Sequence, residues 1–495
     1  MMNGADKHKL AGETLRAPTG STLSCKGWEQ EAALRMLLNS VDPDVAEHSD
    51  NSLSVSDGAS CLRATLAALR DLESDASLVF RSGQPAGVFR TNNEAPRAIV
   101  IPPGRSDENA DSYGNWLSVG TQTRLPIAYE AFAGAARKYF GGTLAGRLIT
   151  VCGLGTAGGA MTLAATLNGA AVLGIDAEAE QIKRRVKTGY CEVMVNDLDE
   201  ALRILKNGVR KHEPASVGLI GNCAELIPEL AQRGIVPDLM LDCTLGDALF
   251  SSYIPRGLSA AKADELRQSD AGAYRDKTLE SIEAQEKGTL ELQRLGSRTY
   301  RMGSDRESGN QKSNISDWTA EFIAPLLNKS CSLLLWVALS GEPADISRAD
   351  RLALEVFASD AAAIRFLQLA ARHVQFQGIP ARVCLVDRAL ASKFGAALNE
   401  MVAQHTLRAP ILIGCQDISE QLSGFSSHPI DERRGGSLDE SQFKTLLASL
   451  GPQAKAASWV ASALERRTEP KLNLAIVADG TAEMARRIAR VLGGE

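Results

Sequence analysis

The stretch ITVCGLGTAGGAMTLAATLNGAAVLGID, Ile149 to Asp176, restricts the possible folds of this chain more than any other. An apolar run ends at Cys152, Gly153 to Gly158 fit G-x-G-x-x-G, an apolar helical stretch reaches Leu167, and a second apolar run closes on Asp176. A strand, a tight turn, a helix and a second parallel strand satisfy that order. Gly153 permits the turn, Gly155 lets the backbone approach a pyrophosphate, and Gly158 lets helix and strand pack closely. The first N–H groups of the helix, around Thr156 and Ala157, then face the anion. A carboxylate at Asp176 accepts hydrogen bonds from adenosine ribose hydroxyls and repels a 2′-phosphate, so NAD is favoured over NADP.

The alternation continues with helices at 178–187 and 198–211, a strand at 217–220, a helix at 224–233 and a strand at 239–242. This pattern predicts an α/β fold with a parallel sheet covered on both faces. A charged helical stretch at 260–295 leads to a third region. There LLLWVAL, ARVCLV and LNLAIVA each precede an amphipathic helix. Ahead of the glycine motif, a polar arm over residues 1–20 precedes a helix stopped at Pro43 and a second helix at 61–72. Short strands follow in 77–104, clearest at Arg97 to Ile101, and then a surface loop at 104–115. Boundaries near 120 and 330 divide the chain into 1–119, 120–330 and 331–495.

Charge and composition exclude several functions. The 54 Lys and Arg residues are dispersed in a chain of net charge −6, so there is no basic stripe for nucleic acid. The longest apolar run, Leu333 to Leu339, is far short of the roughly 18–20 residues of a membrane span, and the first residues have no apolar leader. A cytoplasmic protein with no membrane partner is expected. Nine cysteines without a C-x-x-C pair read as reduced thiols, and six histidines without metal-ligand spacing give no metal site. A dehydrogenase would need a catalytic His, Lys or Tyr–Lys pair, and no such signature is evident.

The flanking residues carry more information. GWEQEAALRMLLNSVDPDVAE, GQPAGVFRTNNEAPRAIV, GTQTRLPIAYEAFAGAARKYFGGTLAGR, SVGLIGNCAELIPELAQRGIVPDLMLDCT, WVALSGEPADI and FQGIPARVCLV resemble the urocanase (urocanate hydratase) family, in the family's order. The resemblance implies a Rossmann-like NAD-binding domain inserted into an α/β core formed by the N- and C-terminal segments, and a homodimer. It also implies that tightly held NAD+ serves as an electrophile toward an imidazole acrylate, with no net oxidation. The family's NAD contacts fall on Thr156, Ala157, Gly158, Asp176, Asn222, Cys223, the segment from Cys243 through Thr244 and Leu245 to Asp247, Tyr253 and Ile254, and the glycine motif adds Gly153 and Gly155. Cys384 matches the cysteine assigned to the family's active site, although a thiol needs a base or a positive field to react and none is visible nearby in sequence. Asp247 and Tyr253 are the candidates for proton transfer; their alternative roles are a helix N-cap and a packing aromatic.

The departures from the family gather around the substrate. Asp247 stands where the family has histidine, Leu335 and Ala324 where it has arginines, and Ser56 where it has tyrosine. The family's LHHGGGVG tract is replaced by SALERRTEPKLN. Arg433 or Arg434 is left to pair with the propenoate carboxylate. These changes favour a substituted substrate, such as an S-methyl-thio- or N-methyl-urocanate. Ordinary urocanate hydratase and a catalytically silent NAD-binding relative are the alternatives.

Overall fold

The computed structural model of the chain describes residues 9–10, 13–14, 16–42, 44–45, 59–74, 76–81, 84–90, 119–244, 253–302, 315–328, 331–416 and 474–493. The expected strand at 97–101 and the surface loop at 104–115 lie outside them. Helix α1 (Trp28–Val41) ends just before Pro43, and α2 (Ala59–Asp71) packs on it. A hairpin of β1 (Ala76–Arg81) and β2 (Gln84–Arg90) follows.

On α1 the side chains of Glu31 and Arg35 are fully buried and pair at 2.8 Å. Arg35 donates to the carbonyls of Gly20, Thr22 and Leu339. The second oxygen of Glu31 accepts from Ser24 N, Ser24 Oγ and Cys25 N. A buried pair satisfied on every side in this way fastens the N-terminal arm to the C-terminal segment, where Arg487 also pairs with Glu29. Both chain ends therefore build one core, and the main apolar cluster runs from Leu34 through Ile149 to Trp336.

Between them lie α3 (Leu125–Tyr139), β3 (Leu148–Cys152), α4 (Thr156–Leu167), β4 (Ala171–Asp176), α5 (Ala179–Lys187), β5 (Val193–Val195) and α6 (Leu198–Lys211). They are followed by β6 (Ala215–Ile220), α7 (Cys223–Gln232), β7 (Leu239–Asp242), α8 (Ala260–Ser269), α9 (Ala271–Arg294), β8 (Arg298–Arg301) and β9 (Ser316–Asp317). The seven strands form one sheet in the order β9-β8-β7-β3-β4-β6-β5, and every pairing is parallel. Strands buried on both faces require near-continuous apolar runs, which Ile149 to Cys152, interrupted only by Thr150, and Ala171 to Ile175 supply. The chain leaves β3 toward β4 on one side and later returns to β7 on the other, so a crevice opens at the carboxyl ends of β3 and β7. The helical stretch expected over 260–295 is divided at Asp270, whose carboxylate caps α9 by accepting from Ala273 N at 2.9 Å.

The last region holds β10 (Cys331–Ala338), α10 (Pro343–Val356), α11 (Ala361–His373), β11 (Ala381–Asp387), α12 (Arg388–Ala403), β12 (Ile411–Gln416), β13 (Leu474–Ala478) and α13 (Ala482–Gly493). Its sheet runs β11-β10-β12-β13 with every neighbour antiparallel, unlike the sheet of the middle segment. For the two pairings of β10 the cause is the number of helices between strands. Two helices, α10 and α11, return the chain reversed between β10 and β11, whereas α12 alone carries it from β11 to β12 in the same direction. Trp336 on β10 donates to Asp350, which also receives Arg382 from β11 at 2.9 and 3.1 Å, so a buried polar cluster fixes this sheet to its helix. No helix among the described residues is long and apolar enough to cross a membrane.

Candidate cofactor and substrate site

The glycine loop fills the turn between β3 and α4, and its three glycines stand there for three different reasons. Gly153 has φ +79°, a left-handed conformation, and its N–H donates to Ile175 O at 2.8 Å. A Cβ on Gly158 would overlap the carbonyl oxygen of Gly153 and come within 2.8 Å of its carbon, so only glycine lets the helix start this close to the strand. Gly155 is different. Its φ of −57° is open to any residue, and a Cβ there would meet nothing within 4 Å. Packing within the protein requires no glycine at this position. It also offers no capping side chain to the first turn of α4.

Asp176 ends β4 beside this loop. One carboxylate oxygen accepts from Leu154 N at 2.6 Å and the other from Glu178 N at 2.8 Å. Burial raises its pKa to about 6, against the pull of those two N–H groups. Each oxygen retains a second lone pair, so the carboxylate can pin the loop and still accept from a ribose hydroxyl.

The buried Arg185 was missed in the sequence, because IKRRVK reads as a solvated charge run. Its Nε donates to Leu154 O at 2.8 Å and one terminal nitrogen reaches Thr121 Oγ1 at 2.6 Å. Next to Thr121, Gln122 donates to Ala381 O at 3.1 Å, at the start of β11. The glycine loop is thereby tied, through two residues of the 119–123 turn, to the strand that carries Cys384.

The opposite wall of the crevice follows β7. Asp242 accepts from Thr244 N, Thr244 Oγ1 and Gln285 Nε2 at 2.6–2.9 Å. Tyr253 OH reaches Gln285 Oε1 at 3.5 Å, and its own carbonyl accepts from Tyr274 OH at 2.7 Å. Asn222 caps α7 by accepting from Ala224 N and donates to Ile254 O at 2.8 Å. Cys243 N donates to Cys152 O, and Cys223 Sγ contacts Ile175 O. A Cβ on Gly153 would lie 3.1 Å from Thr244 Cγ2 and 3.3 Å from Cys243 O. The fold thus gathers Gly153, Gly155, Thr156, Ala157, Gly158, Asp176, Asn222, Cys223, Cys243, Thr244, Tyr253 and Ile254 along one sheet edge. Leu245, Asp247, Arg433 and Arg434 lie outside the described residues.

The environments of two candidate catalytic groups limit their chemistry. Burial raises the pKa of the Tyr253 phenol well above the usual range, so at neutral pH it keeps its proton and can donate a hydrogen bond or a proton but not serve as a base. Cys384 sits in the middle of β11, opposite Leu334, with no exposed surface. Burial, helped by the charges of Asp360 and Asp350, raises its thiol pKa far more than Arg382 lowers it. Leu335 is buried on β10 opposite Val383, on the other face of the sheet from Cys384, so an apolar side chain occupies that position.

A fully parallel sheet whose strand order turns at a glycine loop places the middle segment among Rossmann-like α/β domains. The chain belongs to the urocanase family: residues 15–108 match the urocanase N-terminal domain, 120–322 the urocanase Rossmann-like domain and 325–495 the urocanase C-terminal domain. This is a family of hydro-lyases that act on urocanate-type substrates.

Proposed function

We propose that the protein hydrates the imidazole ring of a substituted imidazole acrylate, with tightly held NAD+ as an electrophile and not as a hydride carrier. Gly155 is the observation that carries this reading. Packing within the protein needs no glycine there, and the open space faces the start of α4, where a pyrophosphate would approach. Asp176, with lone pairs to spare, takes the ribose hydroxyls. Bound in this crevice, the pyridinium supplies an electron-poor ring that activates the substrate toward water.

The remaining steps belong to the chain. Thr156, Ala157 and Gly158 present backbone N–H groups to the anion, while Cys223, Cys243, Thr244 and Ile254 border the far half of the crevice. Tyr253 orients its partner by donating from a phenol that stays protonated, and Asp247 moves the proton. Cys384 shapes the β11 wall. Leu335 and Ala324 replace cations that a desolvated carboxylate would need, a loss on the order of 2–5 kcal/mol unless Arg433 or Arg434 supplies the charge. A pocket rebuilt in this way suits a ring bearing sulfur, S-methyl or N-methyl. A cytoplasmic homodimer is part of the same reading.

The test is to denature the purified protein, chromatograph the released dinucleotide, and follow the ultraviolet absorbance of urocanate and its N-methyl, 2-thio and 2-S-methyl-thio analogues. Turnover should be fastest with a substituted ring. Faster hydration of plain urocanate overturns the substrate assignment. Absence of any dinucleotide, bound or taken up, overturns the cofactor, and saturable binding without turnover identifies a silent relative.

A further inference from the structure

The loop between α11 and β11 holds a side chain whose chemistry the fold leaves unused. Gln377 is 5% exposed, and neither its Oε1 nor its Nε2 has a hydrogen-bond partner. Two other buried amides differ from it. Gln30 leaves one atom unpaired but donates to Leu72 O, and Asn39 leaves one unpaired but accepts from Ile379 N. A buried polar group without a partner opposes folding, and this amide has two. Such a side chain is explained when something outside the polypeptide completes it.

Its surroundings point to where that completion occurs. The carboxamide packs against Gly120, which has φ +68° and whose missing side chain leaves room for the amide: a Cβ there would lie 2.8 Å from Oε1. Gly120 leads directly into Thr121 and Gln122, the two residues that join the glycine loop, through Arg185, to β11. Gln377 therefore stands at the junction of the Rossmann-like domain with the core, four residues before the strand that bears Cys384 begins.

We infer that Gln377 is a specificity-determining residue whose carboxamide takes a ring nitrogen of the imidazole acrylate. The inference rests on the reaction proposed above. An amide suits this task because it presents an acceptor and a donor side by side, so it can receive either a ring N–H or a bare ring nitrogen. A buried amide aimed at such a ring also discriminates against analogues that cannot complete it.

Two variants test this. Gln377→Met keeps length and volume but removes both polar atoms, and Gln377→Asn keeps the amide but withdraws it by one methylene. Each is compared with wild type for dinucleotide content, thermal unfolding, calorimetric binding of imidazole propionate and kcat/KM on the hydrated acrylate. Both variants should hold dinucleotide as wild type does and lose roughly tenfold in imidazole propionate affinity and in kcat/KM, the effect of one neutral hydrogen bond left unmade. Gln377→Met should also melt at or above the wild-type temperature. If both variants bind and turn over within twofold of wild type, the amide holds only an ordered water and the inference fails. If Gln377→Met does not fold, the Asn variant decides alone. A wild type that binds and hydrates none of the imidazole acids overturns the proposed reaction itself, and that result is read without either variant.

Discussion

Alanine at Gly155 and at Gly158 should have opposite consequences, although the two positions are only three residues apart in one motif. At Gly158 the added Cβ would overlap the Gly153 carbonyl oxygen, and backbone cannot step aside as a flexible side chain can. Overpacking of this kind costs about 3 kcal/mol or more, and here it pries the start of α4 away from β3. At Gly155 nothing lies within 4 Å and φ is −57°, so the methyl has room. Lower chain entropy in the unfolded state contributes about 0.4–1 kcal/mol in favour of alanine, and its weakness as an N-cap opposes that by a similar amount. The net change in stability should therefore lie within about 1 kcal/mol of zero.

Affinity should behave the other way. A methyl at Gly155 occupies the approach to the helix N-terminus and pushes a pyrophosphate back from charge-assisted hydrogen bonds worth about 1.5–3 kcal/mol each, which is roughly 10- to 100-fold in dissociation constant. Urea unfolding of the dinucleotide-free proteins, with calorimetric titration of NAD+, separates the two quantities. Gly155→Ala should fold like wild type and bind poorly, and Gly158→Ala should unfold at lower urea. If Gly155→Ala binds the dinucleotide as tightly as wild type, the open face of the loop is not its approach and the proposed function loses its main support.

Three further outcomes follow from named contacts. The Asp176 pKa is raised from 3.8 to about 6, so the folded protein binds a proton in that interval that the unfolded chain does not, and this group opposes stability above about pH 6 and ceases to do so as the pH falls. Relative to Asp176→Asn, dinucleotide-free wild type should gain about 1 kcal/mol in urea unfolding between pH 7.5 and 5, and a pH-independent difference would refute the assignment. Arg35→Met leaves Glu31 charged and buried without its cation, and should cost about 3–5 kcal/mol by the same assay; a loss below 1 kcal/mol would mean that the arm is not held by this pair. Cys384 should stay unmodified when native protein is treated with iodoacetamide at pH 8 and react once urea unfolds it, as read by peptide mass spectrometry. Rapid native labelling would instead reveal an activated thiol.

The parts of this architecture legible in the sequence were those set by local periodicity. Continuous apolar runs marked β3, β4 and β7 because strands covered on both faces can carry little else, and the glycine spacing located the loop between them. Properties that depend on distant partners were hidden. RTYR at Arg298 to Arg301 and VMV at Val193 to Val195 are too short to show a period, yet they extend the sheet at its two sides. Strand direction in the C-terminal core was not written in any single strand, since it follows from how many helices separate a pair. Arg185 and Gln377 escaped notice because charged and amide residues are usually solvated, and only the tertiary structure shows both enclosed.

The hidden residues concern the joint between the domains, and there a physical rule explains their type. Apolar packing fixes how far apart two surfaces lie but says little about how one slides along the other, because the hydrophobic effect has no direction. Hydrogen bonds do have direction, and a buried one that slips by an ångström leaves its partners unpaired at about 1–3 kcal/mol each. Arg185 spans Leu154 O and Thr121 Oγ1, and Gln122 spans to Ala381 O, so sliding the glycine loop relative to β11 would break at least one bond of this series. A reaction between a cofactor held on one domain and a ring held against the other demands that registration. The polar joint, more than the apolar core around it, is therefore what sets the geometry of the proposed chemistry.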